Sequence, residues 1–181
     1  MSKDPVATSK FLSFVLRHKP ETIGLTLDEN GWANLEELVR LANDHGHTLT
    51  IKDIADIVAN SDKQRFAMDS SGGRIRANQG HSIQVDLELT ALQPPELLYH
   101  GTAKRFLASI RSDGLLKQAR HHVHLSSDAN AAALVGGRHG RPVVLTVRAG
   151  QMSCNGHLFY RSENGVWLTD QVPTAFIEFP F

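Results

Sequence analysis

An α+β protein in two successive parts is what this sequence predicts, on three observations. Between Ser9 and Val58, apolar residues recur at three- and four-residue spacing in separate stretches, and a hairpin signature follows at Arg65–Ala77. From Leu97 onward the pattern changes to short apolar runs interrupted by brief helical segments. Between the two, Gln93-Pro94-Pro95-Glu96 can continue neither a helix nor an internal strand, because adjacent prolines lack amide donors. The sequence boundary therefore falls there, giving parts 1–93 and 94–181, each long enough for a modest core.

In the first part, Phe11, Leu12, Phe14, Val15 and Leu16 form an amphipathic stripe that runs into Arg17-His18-Lys19 and stops at Pro20. The last turn of that helix pairs a permanent cation with a group that titrates near neutrality, which suits an anion; basic residues there also complement the helix dipole. Gly24–Trp32 reads as an extended piece and a turn. Asn34 with Glu37, and Thr50 with Asp53, are capping signals for helices whose buried stripes are Leu35, Leu38, Val39, Leu41, Ala42 and then Ile51, Ile54, Ala55, Ile57, Val58. Arg65–Asp69 and Arg74–Ala77 flank the turn residues Ser70-Ser71-Gly72-Gly73. Helices followed by such a ribbon have the order of a winged helix, an arrangement compatible with nucleic-acid contact. His81–Leu92 alternates weakly.

In the second part, Leu97–His100, Val123–Ser126, Val143–Arg148, Val166–Thr169 and Ala175–Phe179 read as strands. Lys104–Asp113, closed by Gly114, and the Ala-rich Asp128–Val135 read as helices. The expected architecture is a mixed, strand-rich lobe.

Composition excludes several classes. The 19 basic and 19 acidic residues cancel, so no global field for coating nucleic acid exists, although the second half is mildly basic with 9 against 6. A single cysteine, Cys154, rules out an intramolecular disulfide and any multi-cysteine cluster. No apolar run approaches 18 residues and the first residues lack a signal-peptide pattern, so a soluble, cytoplasmic protein with no membrane partner is expected, and a monomer is taken as its form. Walker A, GxGxxG, HExxH and GxSxG patterns are absent. Gly136-Gly137-Arg138-His139-Gly140-Arg141 could meet a phosphate with amides and guanidiniums, or serve as a turn. His121-His122-Val123-His124 lacks a carboxylate or thiol spaced to complete a tetrahedral shell, so no metal is expected, and His124 is read as having a separate task. Cys154 has no neighbouring base to activate it.

Six segments in register carry a resemblance: Leu16-Arg17-His18-Lys19-Pro20, Lys63-Gln64-Arg65-Phe66, Gln79-Gly80-His81-Ser82, Leu98-Tyr99-His100-Gly101-Thr102, Arg120–Ser126 and Asn164–Thr169. Together they resemble the RNA 2′-phosphotransferase family over nearly the whole chain. The resemblance implies a winged-helix lobe joined to an ADP-ribosyltransferase-like lobe that takes NAD⁺ as a consumed co-substrate, with RNA bearing a 2′-phosphate as the partner. It implies a two-step transfer: the RNA 2′-phosphate displaces nicotinamide from NAD⁺, and the ribose 2″-hydroxyl of the adduct then attacks the phosphorus. The products are ADP-ribose 1″,2″-cyclic phosphate and RNA with a free 2′-hydroxyl.

The same resemblance makes Arg17, His18, Arg65 and Arg120 the catalytic group. It puts His100, Gly101, Thr102, His124 and Ser126 around the nicotinamide ribose, with Arg138 a candidate for the pyrophosphate. Where many protein-modifying ADP-ribosyltransferases carry a glutamate, this chain has Val166, which would leave the ribose hydroxyl free for the second step. Physical chemistry suits these residue types. A phosphate monoester, with its second pKa near ~6, is already anionic at neutral pH and needs positioning more than a base. Planar guanidiniums hold it bidentately and stabilise charge that grows at phosphorus. Two alternatives use the same fold: an ADP-ribosyltransferase that stops after the first step, and a non-catalytic nucleic-acid-binding regulator with an NAD-sensing lobe.

Overall fold

The computed structural model describes residues 4–181, which form an α+β chain that divides into two compact units, one ending at Glu88 and the other beginning at Leu89. The division precedes Pro94-Pro95 because the intervening segment is tied to the second unit. The Leu92 amide donates to the carbonyl of Phe159 at 2.8 Å, and Ser153 Oγ lies 3.3 Å from Gln93 Oε1.

In the first unit, α1 (Pro5–Arg17) starts ahead of the apolar stripe because Asp4 and Pro5 supply both start signals. The Asp4 carboxylate accepts from the amides of Val6 and Ala7 at 2.9 and 3.1 Å, and Pro5 stands where no amide donor is needed. The helix ends at His18, and Pro20–Ile23 form a single 3₁₀ turn closed by Gly24 at φ +70°. Strand β1 (Ala33–Asn34) leads into α2 (Leu35–Asp44), where Asn34 accepts the Glu37 amide at 2.9 Å. Helix α3 (Ile51–Asn60) opens with a reciprocal capping box: Thr50 Oγ1 accepts the Asp53 amide at 3.1 Å and Asp53 Oδ2 accepts the Thr50 amide at 3.0 Å. The ribbon is β2 (Phe66–Met68) with β3 (Arg74–Ala77), and β1 joins its other edge, Ala33 opposite Ile75, to give the antiparallel order β1-β3-β2. Leu12, Leu16, Leu35, Leu38, Ile54, Phe66 and Ile75 form the shared core.

The second unit begins with β4 (Leu98–Ala103), a 3₁₀ turn at Lys104–Phe106, α4 (Leu107–Asp113) and β5 (Leu115–Leu116). Strand β6 (Val123–Leu125) precedes α5 (Ala129–Gly136), which Asp128 caps by accepting the Asn130 amide at 2.8 Å. Then follow β7 (Pro142–Val147), α6 (Ala149–Cys154), β8 (Phe159–Arg161), β9 (Trp167–Thr169), β10 (Gln171–Val172) and β11 (Ile177–Glu178). Strands pair antiparallel in the orders β11-β7-β4, β6-β9-β8 and β10-β5, and a bridge between Tyr99 and Ser126 connects β4 to the end of β6. Leu98, Leu145, Val147, Met152, Phe159 and Trp167 lie in the core between these layers. Among the described residues no helix is long and apolar enough to cross a membrane.

Helix α5 rests on β4 at backbone distance. A Cβ built on Gly101 would sit 1.6 Å from the Ala132 carbonyl oxygen, and one on Gly136 would sit 2.5 Å from the Thr102 carbonyl oxygen. Backbone cannot yield as a flexible side chain does, so even one methyl group forces the layers apart. Gly101→Ala is expected to lower stability by about 3 kcal/mol in denaturant titrations. Gly137→Ala, with nothing within 4 Å of the added carbon, should stay within about 0.5 kcal/mol.

Candidate functional site

In the first unit the structure brings together Arg17, His18 and Arg65. Arg17 is the last residue of α1, half-buried, with its guanidinium 5.8 Å from the Phe66 ring centroid and Nη2 3.5 Å from the Arg65 carbonyl. His18 follows as the helix cap, and its Nδ1 meets Ser82 Oγ at 2.9 Å. The Ser82 amide donates to the Arg17 carbonyl at 2.9 Å, so one serine holds both neighbours. Arg65 enters β2 after Gln64, which takes a left-handed φ of +39°. Asn78 holds that corner: its amide donates to the Arg65 carbonyl at 2.9 Å and its side chain to the Gln64 carbonyl. The facing sides of α1 and α3, with the loop after α3, form a groove of about 930 Å³, and His18, Arg65, Lys10 and Lys63 share its wall with Asp53, Asp56 and Asp62.

The second unit brings together His100, His124 and Arg120. His100 Nδ1 donates to the His124 carbonyl at 3.0 Å, which leaves Nε2 as an acceptor in the neutral ring. Burial pushes the His100 pKa down from 6.5, and the charge of Arg120 adds to the effect. Arg120, on an exposed loop, places Nη1 3.4 Å from His124 Nδ1. Since a guanidinium only donates, His124 Nδ1 is the acceptor of that pair and Nε2 carries the hydrogen. The two imidazoles are thus in opposite tautomers, with Nε2 an acceptor in His100 and a donor in His124.

Ser126 is half-buried, and its Oγ also accepts the Asp128 amide at 3.0 Å. Thr102 is only 6 % exposed, so of the two hydroxyl candidates Ser126 is the more accessible. The close backbone approach that Gly101 permits is to Ala132 of α5. Arg138 stands exposed in the 3₁₀ turn after α5. Val166 is fixed just ahead of β9 by Ser162, whose Oγ accepts the Val166 amide at 3.1 Å. Cys154 is exposed at the end of α6. Among the described residues no group of His, Cys, Asp and Glu is arranged to hold a metal ion.

Sequence reasoning assigned no task to Ser82, Asn78 or Gln64. The segment around Gln79-Gly80-His81-Ser82 carries no periodicity that would announce contacts 64 residues back along the chain. Only the segment's place among the resembling motifs pointed to it.

Arg17, His18 and Arg65 gathered in one unit, and His100 and His124 beside Arg120 in the other, make this an α+β protein with clustered cation-forming side chains in both units. The chain belongs to the family described as RNA 2′-phosphotransferase, Tpt1/KptA family, whose model matches residues 3–171. It is 53 % identical over 176 residues to a protein of Acaryochloris marina named "Probable RNA 2′-phosphotransferase", covering 97 % of each chain. Proteins of the same name from Rhodopirellula baltica and Escherichia coli are 52 % and 51 % identical, covering 98 % and 99 % of this chain and 97 % and 93 % of theirs.

The environment of His100 has a measurable consequence. Its folded pKa lies below 6.5, so between these values the unfolded chain binds a proton that the folded chain refuses. His100 should therefore titrate below pH 6.5 by NMR, and its contribution to stability should be lost as pH falls through that window. Arg120→Ala should move the midpoint partway back up.

Proposed function

We propose that the protein removes an internal 2′-phosphate from RNA by transfer to NAD⁺, releasing nicotinamide, ADP-ribose 1″,2″-cyclic phosphate and RNA with a 2′-hydroxyl. The first unit is read as a winged-helix lobe that contacts RNA, and the second as an ADP-ribosyltransferase-like lobe that holds NAD⁺. A monomer acting in the cytoplasm is the form proposed. The observation that carries the reading is the assembly of Arg17, His18 and Arg65: residues up to 48 apart in sequence are tied by backbone and side-chain contacts into a cationic corner suited to a phosphate dianion.

NAD⁺ supplies an activated anomeric carbon with nicotinamide as leaving group. The residues of the second unit fit its ribose. His100 Nε2 can accept from a ribose hydroxyl, the His124 Nε2–H and the Ser126 hydroxyl can donate, and Gly101 keeps β4 close under α5. In this reading Thr102 and Arg138 are the outer candidates, for a hydroxyl and for the pyrophosphate. Val166, being apolar, takes no proton from that ribose and makes no hydrogen bond that would hold its hydroxyl back.

Arg17, Arg65 and Arg120 are the phosphate-handling residues. Their charge cannot be lost by deprotonation, so they hold the anion in place for the first step and neutralise charge that builds on phosphorus in the second. His18, fixed by Ser82, is placed to donate to a phosphate oxygen or move a proton there.

Incubating the protein with a 2′-phosphorylated oligonucleotide and NAD⁺ tests the reading. Cyclic-phosphate product is expected. A stable ADP-ribosylated RNA would indicate a transferase that stops at the first step, and binding without nicotinamide release would indicate a regulator. Arg65→Ala or Arg120→Ala should slow the second step roughly 100-fold or more, so that ADP-ribosylated RNA accumulates; normal turnover would remove either residue from the site. Val166→Glu should retard the second step more than nicotinamide release in the same single-turnover assay.

A further inference from the structure

Beside His124 the second unit holds a pocket of about 380 Å³ that the phosphate chemistry leaves unused, with His122, His157, Tyr160, Thr169, Asp170 and Gln171 in its wall. Its position follows from strand register. His124 pairs with Leu168, and Leu168 with Tyr160, so these side chains share one face of β6-β9-β8. His122, two residues before His124, continues the same alternation. The pocket therefore adjoins the face on which His124 stands.

Its chemistry suits a flat heterocycle. The His122 and Tyr160 rings lie 5.5 Å apart between centroids at 57°, an aromatic corner against which a further ring can stack. Asp170 and Gln171 add polar groups for a base edge, whereas the Thr169 hydroxyl is taken by the Leu158 carbonyl. Burial pushes the His122 pKa below 6.5, with His121 and Lys117 adding to it, so the ring is neutral and available for stacking. The surrounding charge selects the source of the heterocycle. Lys117, Arg120 and His121 precede His122 on the same loop, and the Asp170 carboxylate is already paired with the Lys117 ammonium. Arg120 on that loop, in contact with the His124 ring, brings a permanent positive charge that attracts an anionic nucleotide.

We propose that this pocket seats the base of the RNA nucleotide that carries the 2′-phosphate, stacked on Tyr160 and His122. The proposal rests on RNA being the substrate, as argued above, and adds a determinant of which nucleotide is engaged. It predicts that the enzyme requires a base at that position and that Tyr160 is the residue through which the requirement is felt.

The test compares two oligonucleotides alike except that one carries an abasic ribose at the 2′-phosphorylated position, both assayed at saturating NAD⁺. The intact substrate should be used at least about 10-fold more efficiently, the order one base–aromatic stack supplies, with the difference in KM. Tyr160→Ala should bring the ratio between the substrates close to one, and Tyr160→Phe should restore it. If Tyr160→Ala fails to fold by circular dichroism, His122→Ala should narrow the ratio in the same direction. Equal use of both substrates by the unaltered protein, or an equal loss on both in the variants, overturns the proposal. So does weaker NAD⁺ binding by Tyr160→Ala in the absence of RNA, which would assign the pocket to nicotinamide. If the unaltered protein dephosphorylates neither oligonucleotide, the substrate reading itself fails and the pocket assignment falls with it.

Discussion

The contact of α5 with β4 sets the geometry of the second unit. Where two glycines let backbone meet backbone, the separation of helix and strand is fixed by hard-core repulsion rather than by side chains that can repack. Strand β4 transmits that constraint. It pairs with β7 from Leu98 opposite Val147 to Ala103 opposite Pro142, and through Tyr99 it exchanges backbone hydrogen bonds of 2.8 Å with Ser126. His100 and His124 are consequently carried by strands with little freedom to move relative to each other. Their own bond, ring nitrogen to carbonyl, selects a tautomer that only such a fixed relation can maintain. The apolar layers around Leu98, Leu145 and Phe159 supply the driving force, and the glycines determine where it is directed.

The first unit solves a different problem, since its candidate residues, Arg17 and Arg65 with His18, are side chains at element ends. Here precision comes from hydrogen bonds to backbone. Ser82 grips the Arg17 carbonyl with its amide and the His18 ring with its hydroxyl, while Asn78 grips the chain on both sides of the peptide that introduces Arg65. The left-handed conformation of Gln64 stores a modest strain that these bonds hold in place. Arg17 adds a cation–π contact with Phe66, whose ring is otherwise part of the core. A guanidinium is thereby held between the hydrophobic interior and the backbone carbonyl of Arg65.

Much of the fold was legible because the signals are local. The Thr50–Asp53 capping box, Asn34 and Gly114 each sit where the sequence puts them, since a cap requires only its own turn. What escaped was either too short or too distant. Strands β1, β5 and β10 contain two residues each, below the length at which alternation can be seen, and exist because a partner strand satisfies their backbone. Helix α6 and strand β8 were also unmarked. A helix begins at Ala149-Gly150 despite the poor propensity of glycine because the Gly150 amide donates to the Glu96 carbonyl, a contact between residues far apart in sequence. For the candidate site, residue types announced themselves by charge and by resemblance. Ser82, Asn78 and Gln64 did not, because a residue that positions another is identified by the contact alone.

Burial has opposite effects on the two kinds of cation-forming side chain in this chain. For an imidazole, removal from water is relieved by losing the proton, and His100 and His122 both shift that way. For a guanidinium that escape does not exist at any physiological pH, so Arg17 and Arg65 retain their charge when half-buried and must find oxygen or aromatic partners. A reaction that joins a phosphate dianion to a sugar requires both outcomes. The anion needs charges that burial cannot remove, because proton loss there would release it. In the proposed reading the sugar meets a lone pair on His100 Nε2, because a protonated ring would offer only donors and could not accept from a hydroxyl. Protonating His100 would also place further positive charge near Arg120, which acts in the same direction as burial on that ring. The choice of arginine at one set of positions and histidine at the other therefore follows from how each responds to the partial burial that the fold imposes on it.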